Sequence, residues 1–170
     1  NTGGHSKIAS VIPQWFNLPH QINATLPSIL GDDTAHVLAR AVQFFLPGEP
    51  QVYYVGLFNG KDDQGLFAKT EQGRDVNRHH YTPAEIDEAI ASPVTQAILG
   101  LARLRKHAAF EGAFSWKQLT GSAMELQWTG KDSNLKLWFD LSGSTPAFSI
   151  EITDGTSSRS LTSVSELATI

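Results

Sequence analysis

"QVYYVG", residues 51–56, decides how most of this chain is read. Val52, Tyr53, Tyr54 and Val55 form an unbroken β-branched and aromatic run. Without polar alternation, that pattern predicts a strand buried on both faces, as in a parallel sheet. Such a strand needs neighbours, and no second run of this kind occurs in the sequence. The expectation is the end of a larger parallel sheet or barrel whose other strands lie outside this sequence. In a (β/α) barrel the loops after the strands carry the active site. The polar stretch at residues 59–81 would be such a loop.

Working outward from that run, a helix is predicted before it. Asp32 or Asp33 caps it, and Leu38, Ala41, Val42 and Phe45 give the apolar stripe. Pro47-Gly48 and then Pro50 stop it. After the polar stretch, which has room for a helical turn or two at residues 64–69, Thr82-Pro83-Ala84-Glu85 is a capping box with proline at the first helical position. The apolar face continues through Ile86, Ile90, Val94, Ala97, Ile98, Leu101 and Leu104, and Pro93 should kink or interrupt it. Residues 1–31 read as a long loop, anchored by Trp15, Phe16 and Leu18. From about residue 110 the pattern changes. "FSWKQL", "MELQWTG", "LKLWFDL" and "FSIEITDG" are short, mostly alternating strands separated by turn residues. Trp116, Trp128 and Trp138 sit at apolar positions in them and read as the core of an antiparallel β module.

Composition excludes several functions. The chain has 170 residues, 41% hydrophobic, with a net charge of -4. No basic run or stripe offers a nucleic-acid surface. There is no cysteine, hence no disulfide framework and no thiolate-held metal. No apolar run reaches the roughly 20 residues of a membrane span. His79 and His80 lack HxxxH or HExxH spacing, so no metal is expected. No nucleophile elbow or phosphate-cradling glycine loop is present. Asn23-Ala24-Thr25 matches a glycosylation acceptor only by chance.

Longer strings carry a resemblance. "LARAVQFFLPGEPQVYYVGLFNGKDD", "GRDVNRHHYTPAEID" and "SPVTQAILGLARLRKHAAFEGAFSW" closely resemble the C-terminal portion of sucrose phosphorylases. These are amylase-clan phosphorylases of glycoside hydrolase family 13. "HQIN" followed by "LPSILGDD" is similar to a loop of the same family. The resemblance implies an α/β then β fold. Residues 1–109 would be the C-terminal portion of a (β/α)8 catalytic barrel, with residues 51–56 as its eighth strand. Residues 110–170 would be a small antiparallel β-sandwich-like domain.

The resemblance also implies an activity. Family members are hexosyltransferases that phosphorolyse an α-glucoside reversibly by retaining double displacement, giving α-glucose 1-phosphate. Two carboxyl groups about 5 Å apart flank the bond in such a reaction. No string here matches the motifs of the family's catalytic carboxylates. No catalytic residue is therefore assigned, and the 170-residue chain alone is expected to be inactive. Arg74 falls on the family's Gly-Arg-Asp arginine, which reaches the glucosyl site. Its guanidinium stays charged and donates paired hydrogen bonds. Gln21 falls on the glutamine of the acceptor loop. His20 stands where the family has an aromatic residue, and Leu18 stands where it has an aspartate. Losing a carboxylate and gaining an imidazole could suit a phosphorylated acceptor, as in sucrose 6-phosphate phosphorylases, or glycerol, as in glucosylglycerol phosphorylase.

The expected partners are a sugar, inorganic phosphate as co-substrate, and the rest of the same barrel. No cofactor, metal, nucleic acid or membrane is expected, a homodimer is left open, and the cytoplasm is the expected location. A hydrolase of the same clan would differ only in using water as acceptor. A reading of another class is a non-catalytic carbohydrate-binding domain, whose mark would be an exposed row of tryptophan and tyrosine.

Overall fold

The structure is a computed structural model that describes residues 7–11 and 19–170, with residues 7–11 and 19–22 described by backbone alone. The anchoring expected of Trp15, Phe16 and Leu18 lies outside the described residues. The chain divides into two compact units. One holds the described residues up to Asp33 together with Val52–Ala91. The other holds Thr34–Gln51 and Ser92–Ile170.

The decisive stretch does not form a strand. Residues 51–53 belong to no strand, Tyr53 alone being extended by its dihedrals, and Tyr54–Leu57 then forms a short helix, α3. Tyr53 is 54% exposed. An extended run has no internal hydrogen bonds and needs a ladder partner to satisfy its backbone. Among the described residues no strand neighbours this run, and the backbone turns on itself. Leu57 N–H donates to the Tyr53 carbonyl at 3.0 Å, and Phe58 N–H to that of Tyr54 at 3.0 Å. The β propensity of Val52, Tyr53 and Tyr54 is overridden because there is nothing to pair with.

The first unit also corrects the long-loop expectation for residues 1–31. Strands β1 (Lys7–Val11) and β2 (Pro19–Asn23) pair antiparallel, with Ile8 opposite Ile22 and Ser10 opposite Gln21. Register shifts on either side of Ser10 break the period-two pattern, which hid the hairpin in the sequence. Helix α1 (Leu26–Leu30) follows, capped by Thr25 and stopped by Gly31 at φ 68°. In that left-handed conformation Gly31 donates to the Pro27 carbonyl at 3.0 Å. Helix α4 (Gln64–Thr70) and a 3-10 turn (Gly73–Asn77) lie in the polar stretch. Helix α5 (Pro83–Ala91) closes this unit.

The second unit begins with the long helix predicted at Asp33, α2 (Asp33–Phe45), whose Val37, Leu38, Ala41, Phe44 and Phe45 are buried. Pro93 does interrupt the later helix. Ser92 is extended, as a residue before proline prefers, and its hydroxyl caps α6 (Pro93–Leu104) by accepting from Thr95 N–H. A five-stranded antiparallel meander follows in the order β3 (Ala113–Gln118), β4 (Ala123–Thr129), β5 (Ser133–Asp140), β6 (Ala147–Asp154), β7 (Ser157–Leu161). Its last strand, Ser-Ser-Arg-Ser-Leu, carries too little β propensity to be read from sequence.

The sandwich expectation is corrected as well, because the strands form one sheet. The alternation puts Leu126, Trp128, Leu135, Leu137, Ile150 and Ile152 on one buried face. The end of α2 covers part of it. Trp128 Nε1 donates to the Phe45 carbonyl at 2.6 Å, and Phe110 packs edge-on against both Phe45 and Trp128. Helix α7 (Val164–Leu167) packs on α6, where Gly100 is required, since a Cβ there would overlap the Leu167 carbonyl oxygen. Trp128 is core, as expected. Trp138 is half-buried, and Trp116, on the edge strand β3, is 62% exposed, which corrects its assignment to the core. No helix among the described residues is long and apolar enough to cross a membrane.

Candidate functional site

Three carboxylates and one imidazole organise the polar stretch of the first unit. Asp62 Oδ1 accepts the Thr25 N–H at 2.7 Å, and its own N–H donates to Ser28 Oγ at 2.8 Å. Those bonds tie the stretch to the start of α1. Asp63 is the N-cap of α4, with Oδ1 accepting from Leu66 N–H at 2.7 Å. Its Oδ2 lies 2.6 Å from His79 Nδ1. His79 Nε2 lies 3.3 Å from Glu85 Oε1. Glu85 also completes the predicted capping box, where its Oε2 accepts from Thr82 N–H at 2.7 Å and from the Thr82 hydroxyl at 2.8 Å.

The electrostatics follow from these contacts. The hydrogen bond to Asp63 holds His79 above its ordinary value, burial opposes that, and Glu85 adds to the rise. The same bond and the Leu66 N–H hold Asp63 below the usual carboxylate range. Glu85 is lowered first by the Thr82 N–H. Hydrogen bonding to Tyr53 and burial push Tyr54 up to about 12. Burial raises Tyr81.

Aromatic rings form one wall of the site. Tyr81 meets Phe58, Tyr54 and His79 edge-on, with centroids 5.1, 5.9 and 4.6 Å away. Gly60 makes this possible, because a Cβ there would overlap the Tyr81 hydroxyl. A cleft of about 490 Å³ opens between Phe58, Lys61, Asp62, Asp63, His79 and Tyr81. Lys61 Nζ donates to the Pro27 carbonyl at 3.2 Å, so its charge is partly engaged. Asn23 is fully buried, and neither of its amide atoms has a hydrogen-bond partner among the described residues. Asp62 Oδ2 is likewise buried without one.

Arg74 rides on the Gly73–Asn77 turn and its side chain is exposed. It makes no hydrogen bond or ion pair among the described residues. The turn is fixed by Val76, which is fully buried and whose carbonyl accepts Asp63 N–H at 2.7 Å. It lies against both β1 and β2. His20 and Gln21 are on β2, so the backbone segments of all three sequence-derived site residues adjoin. The side chains of His20 and Gln21 are outside what the structure describes. Arg78 N–H donates to the Asp75 carbonyl at 3.2 Å, with no side-chain ion pair between the two residues.

Sequence reading missed Asp63 and the bridging part of Glu85. Only the capping box was legible, since the partners of His79 are 16 and 6 residues away with no motif linking them. No group of three or more metal-ligating side chains among the described residues could hold a metal ion.

No protein-family model matches the chain. Among curated proteins it is 44% identical over 142 residues to a sucrose phosphorylase of Bifidobacterium adolescentis, covering 82% of this chain and 28% of that protein. It is 44% identical over 124 residues to a sucrose 6(F)-phosphate phosphorylase of Thermoanaerobacterium thermosaccharolyticum, covering 72% of this chain and 25% of that protein. It is 39% identical over 124 residues to a glucosylglycerol phosphorylase of Marinobacter adhaerens, covering 72% and 26%. The chain therefore spans about a quarter of the length of these relatives. The crystal structure of sucrose 6F-phosphate phosphorylase from Thermoanaerobacter thermosaccharolyticum superposes with a TM-score of 0.85 at 35% identity, over 94% of this chain and 32% of that one.

Proposed function

Since the chain belongs to the sucrose phosphorylase family, we propose that it is the C-terminal portion of a retaining glucoside phosphorylase. The intact enzyme transfers a glucosyl group between a sucrose-like α-glucoside and inorganic phosphate. Residues 1–109 would complete a (β/α)8 barrel, in which residues 51–55 gain the ladder partners they lack here. Residues 110–170 form the appended β domain. The cytoplasm is the compartment this chemistry and the cysteine-free sequence suit.

The observation that carries this reading is the exposed Arg74, unpaired among the described residues, on a turn packed against the strand that holds His20 and Gln21. A guanidinium spent on a structural ion pair would be unavailable to substrate, and this one has no such pair among the described residues. It can donate two parallel hydrogen bonds to sugar hydroxyls or to a carboxylate. His20 and Gln21 would then meet the acceptor, where fructose, fructose 6-phosphate or glycerol competes with phosphate. The nucleophile and the acid/base would come from earlier strands of the barrel.

In the longer enzyme, Arg74→Ala should lower kcat/KM for glucose 1-phosphate formation at least about 100-fold, the loss of two charged hydrogen bonds. Unchanged turnover would remove Arg74 from the site. His20→Ala should alter acceptor preference and spare glucosyl transfer, as read by competing fructose against fructose 6-phosphate. The 170-residue chain should release no glucose 1-phosphate, and steady turnover by it would refute the assignment of the catalytic carboxylates elsewhere. The carbohydrate-binding alternative lacks its mark. Among the described tryptophans only Trp116 is exposed, while Trp128 is buried and Trp138 half-buried, and the exposed Tyr53 belongs to the other unit.

A further inference from the structure

His79 stands between two carboxylates, and each carboxylate has a second task. Asp63 gives Oδ2 to His79 Nδ1 at 2.6 Å and Oδ1 to the first turn of α4. Glu85 gives Oε1 to His79 Nε2 at 3.3 Å and Oε2 to the start of α5. A neutral imidazole has one N–H and one lone pair. Between two carboxylates it would aim that lone pair at one of them. Only the imidazolium donates in both directions. The ring therefore joins the beginnings of two helices, and the Gly73–Asn77 turn lies between those helices in the chain.

We propose that His79 is a positioning residue, an imidazolium clasp that ties the start of α4 to the start of α5 and so holds the turn bearing Arg74. The clasp and the turn share Asp63, whose side chain meets His79 and whose N–H donates to the Val76 carbonyl at 2.7 Å. Tyr54 adds a further tie, its hydroxyl donating to the His79 carbonyl at 3.0 Å. The groups facing the ring are Asp63 from α4, Glu85 from α5 and the edge-on Tyr81. Lys61 and Asp62 share its cleft. Lys69 acts on Asp63 from the last turn of α4, and Arg78 acts on Tyr54. None of the cations comes between the ring and its two carboxylates, and the raised affinity of His79 for its proton agrees with the geometry.

The consequence for catalysis rests on the reading that Arg74 meets the glucosyl group, whereas the clasp itself does not, so the two are tested apart. The first measurement is an NMR titration of the His79 ring in the 170-residue chain, from about pH 5 to about pH 9. The second is amide exchange at Asp63 and Arg78 in the wild type, His79→Gln and Asp63→Asn. Asparagine keeps a capping side chain at α4 while removing the charge, so one variant retains the helix if the other does not fold. Protons on both ring nitrogens at pH 7, with a midpoint above the ordinary histidine value near 6.5, would support the clasp. So would a lower midpoint in Asp63→Asn and exchange at the two amides about tenfold faster in either variant. A neutral ring at pH 7, or unchanged exchange in both variants, overturns it. If both variants loosen the turn while glucosyl transfer in the longer enzyme is unaffected, the clasp stands and the role of Arg74 falls.

Discussion

The β meander and the polar stretch are held together by different forces. In the meander each strand supplies its neighbour's hydrogen bonds, and alternating apolar residues close one face. Leu135, Leu137 and Ile150 are fully buried there. In the polar stretch, elements of four to nine residues are tied by carboxylates, of which Asp63 and Glu85 each serve two partners. Only Val55, Gly56 and Val76 are buried between residues 52 and 91. Apolar burial is non-directional and insensitive to pH, whereas charged hydrogen bonds depend on both. The comparison teaches why the meander reads as a scaffold and the polar stretch as a place for function. Residues held by side chains can present unpaired groups, and a well-packed sheet has few to spare.

The largest effect should come from opening the sheet's core. Leu137→Ala removes a fully buried side chain and should cost about 2–5 kcal/mol in denaturant unfolding of the second unit. A loss below about 1 kcal/mol would mean the meander is not the scaffold. The next test concerns the unpaired amide in the other unit. Asn23→Leu replaces a buried side chain that has no hydrogen-bond partner among the described residues, and should stabilise the first unit by about 1–2 kcal/mol. Destabilisation would show that Asn23 has a partner in solution.

The contrast in pH response is sharper still as a diagnosis, though smaller in energy. Asp63 is held below its ordinary value, so its contribution is present above about pH 4 and fades as pH falls through the lowered value. His79 is held above its ordinary value, so its contribution is complete below about pH 6.5 and fades as pH rises through the raised value. Amide protection around residues 62–79 should therefore peak between those limits, while protection in the meander stays flat. A flat profile in both regions would erase the distinction. The smallest effect belongs to Trp116→Ser, which changes an exposed edge residue and should shift stability by less than about 0.5 kcal/mol.

Legibility followed the same divide. The two long helices, the break at Pro93, the capping box at Thr82 and four of the five strands could be read because periodicity and capping are local. The hairpin at β1 and β2 could not be read, since its register slips near Ser10. The site was half legible. Arg74, His20 and Gln21 came from strings shared with a family, not from any pattern of their own. The bridge from Asp63 through His79 to Glu85 left no sequence signal, because its members lie far apart in the chain and meet only after α4 and α5 are placed.

By itself, the sequence determined the two long helices, the apolar face of the meander and the kinship with phosphorylases. Each rests on residues that act within a few positions of one another or on long matching strings. Tertiary structure alone decided the fate of residues 51–56 and the carboxylate partners of His79. A strand exists only where another backbone offers its hydrogen bonds, and the proton affinity of an imidazole rises where carboxylates have been brought to face it.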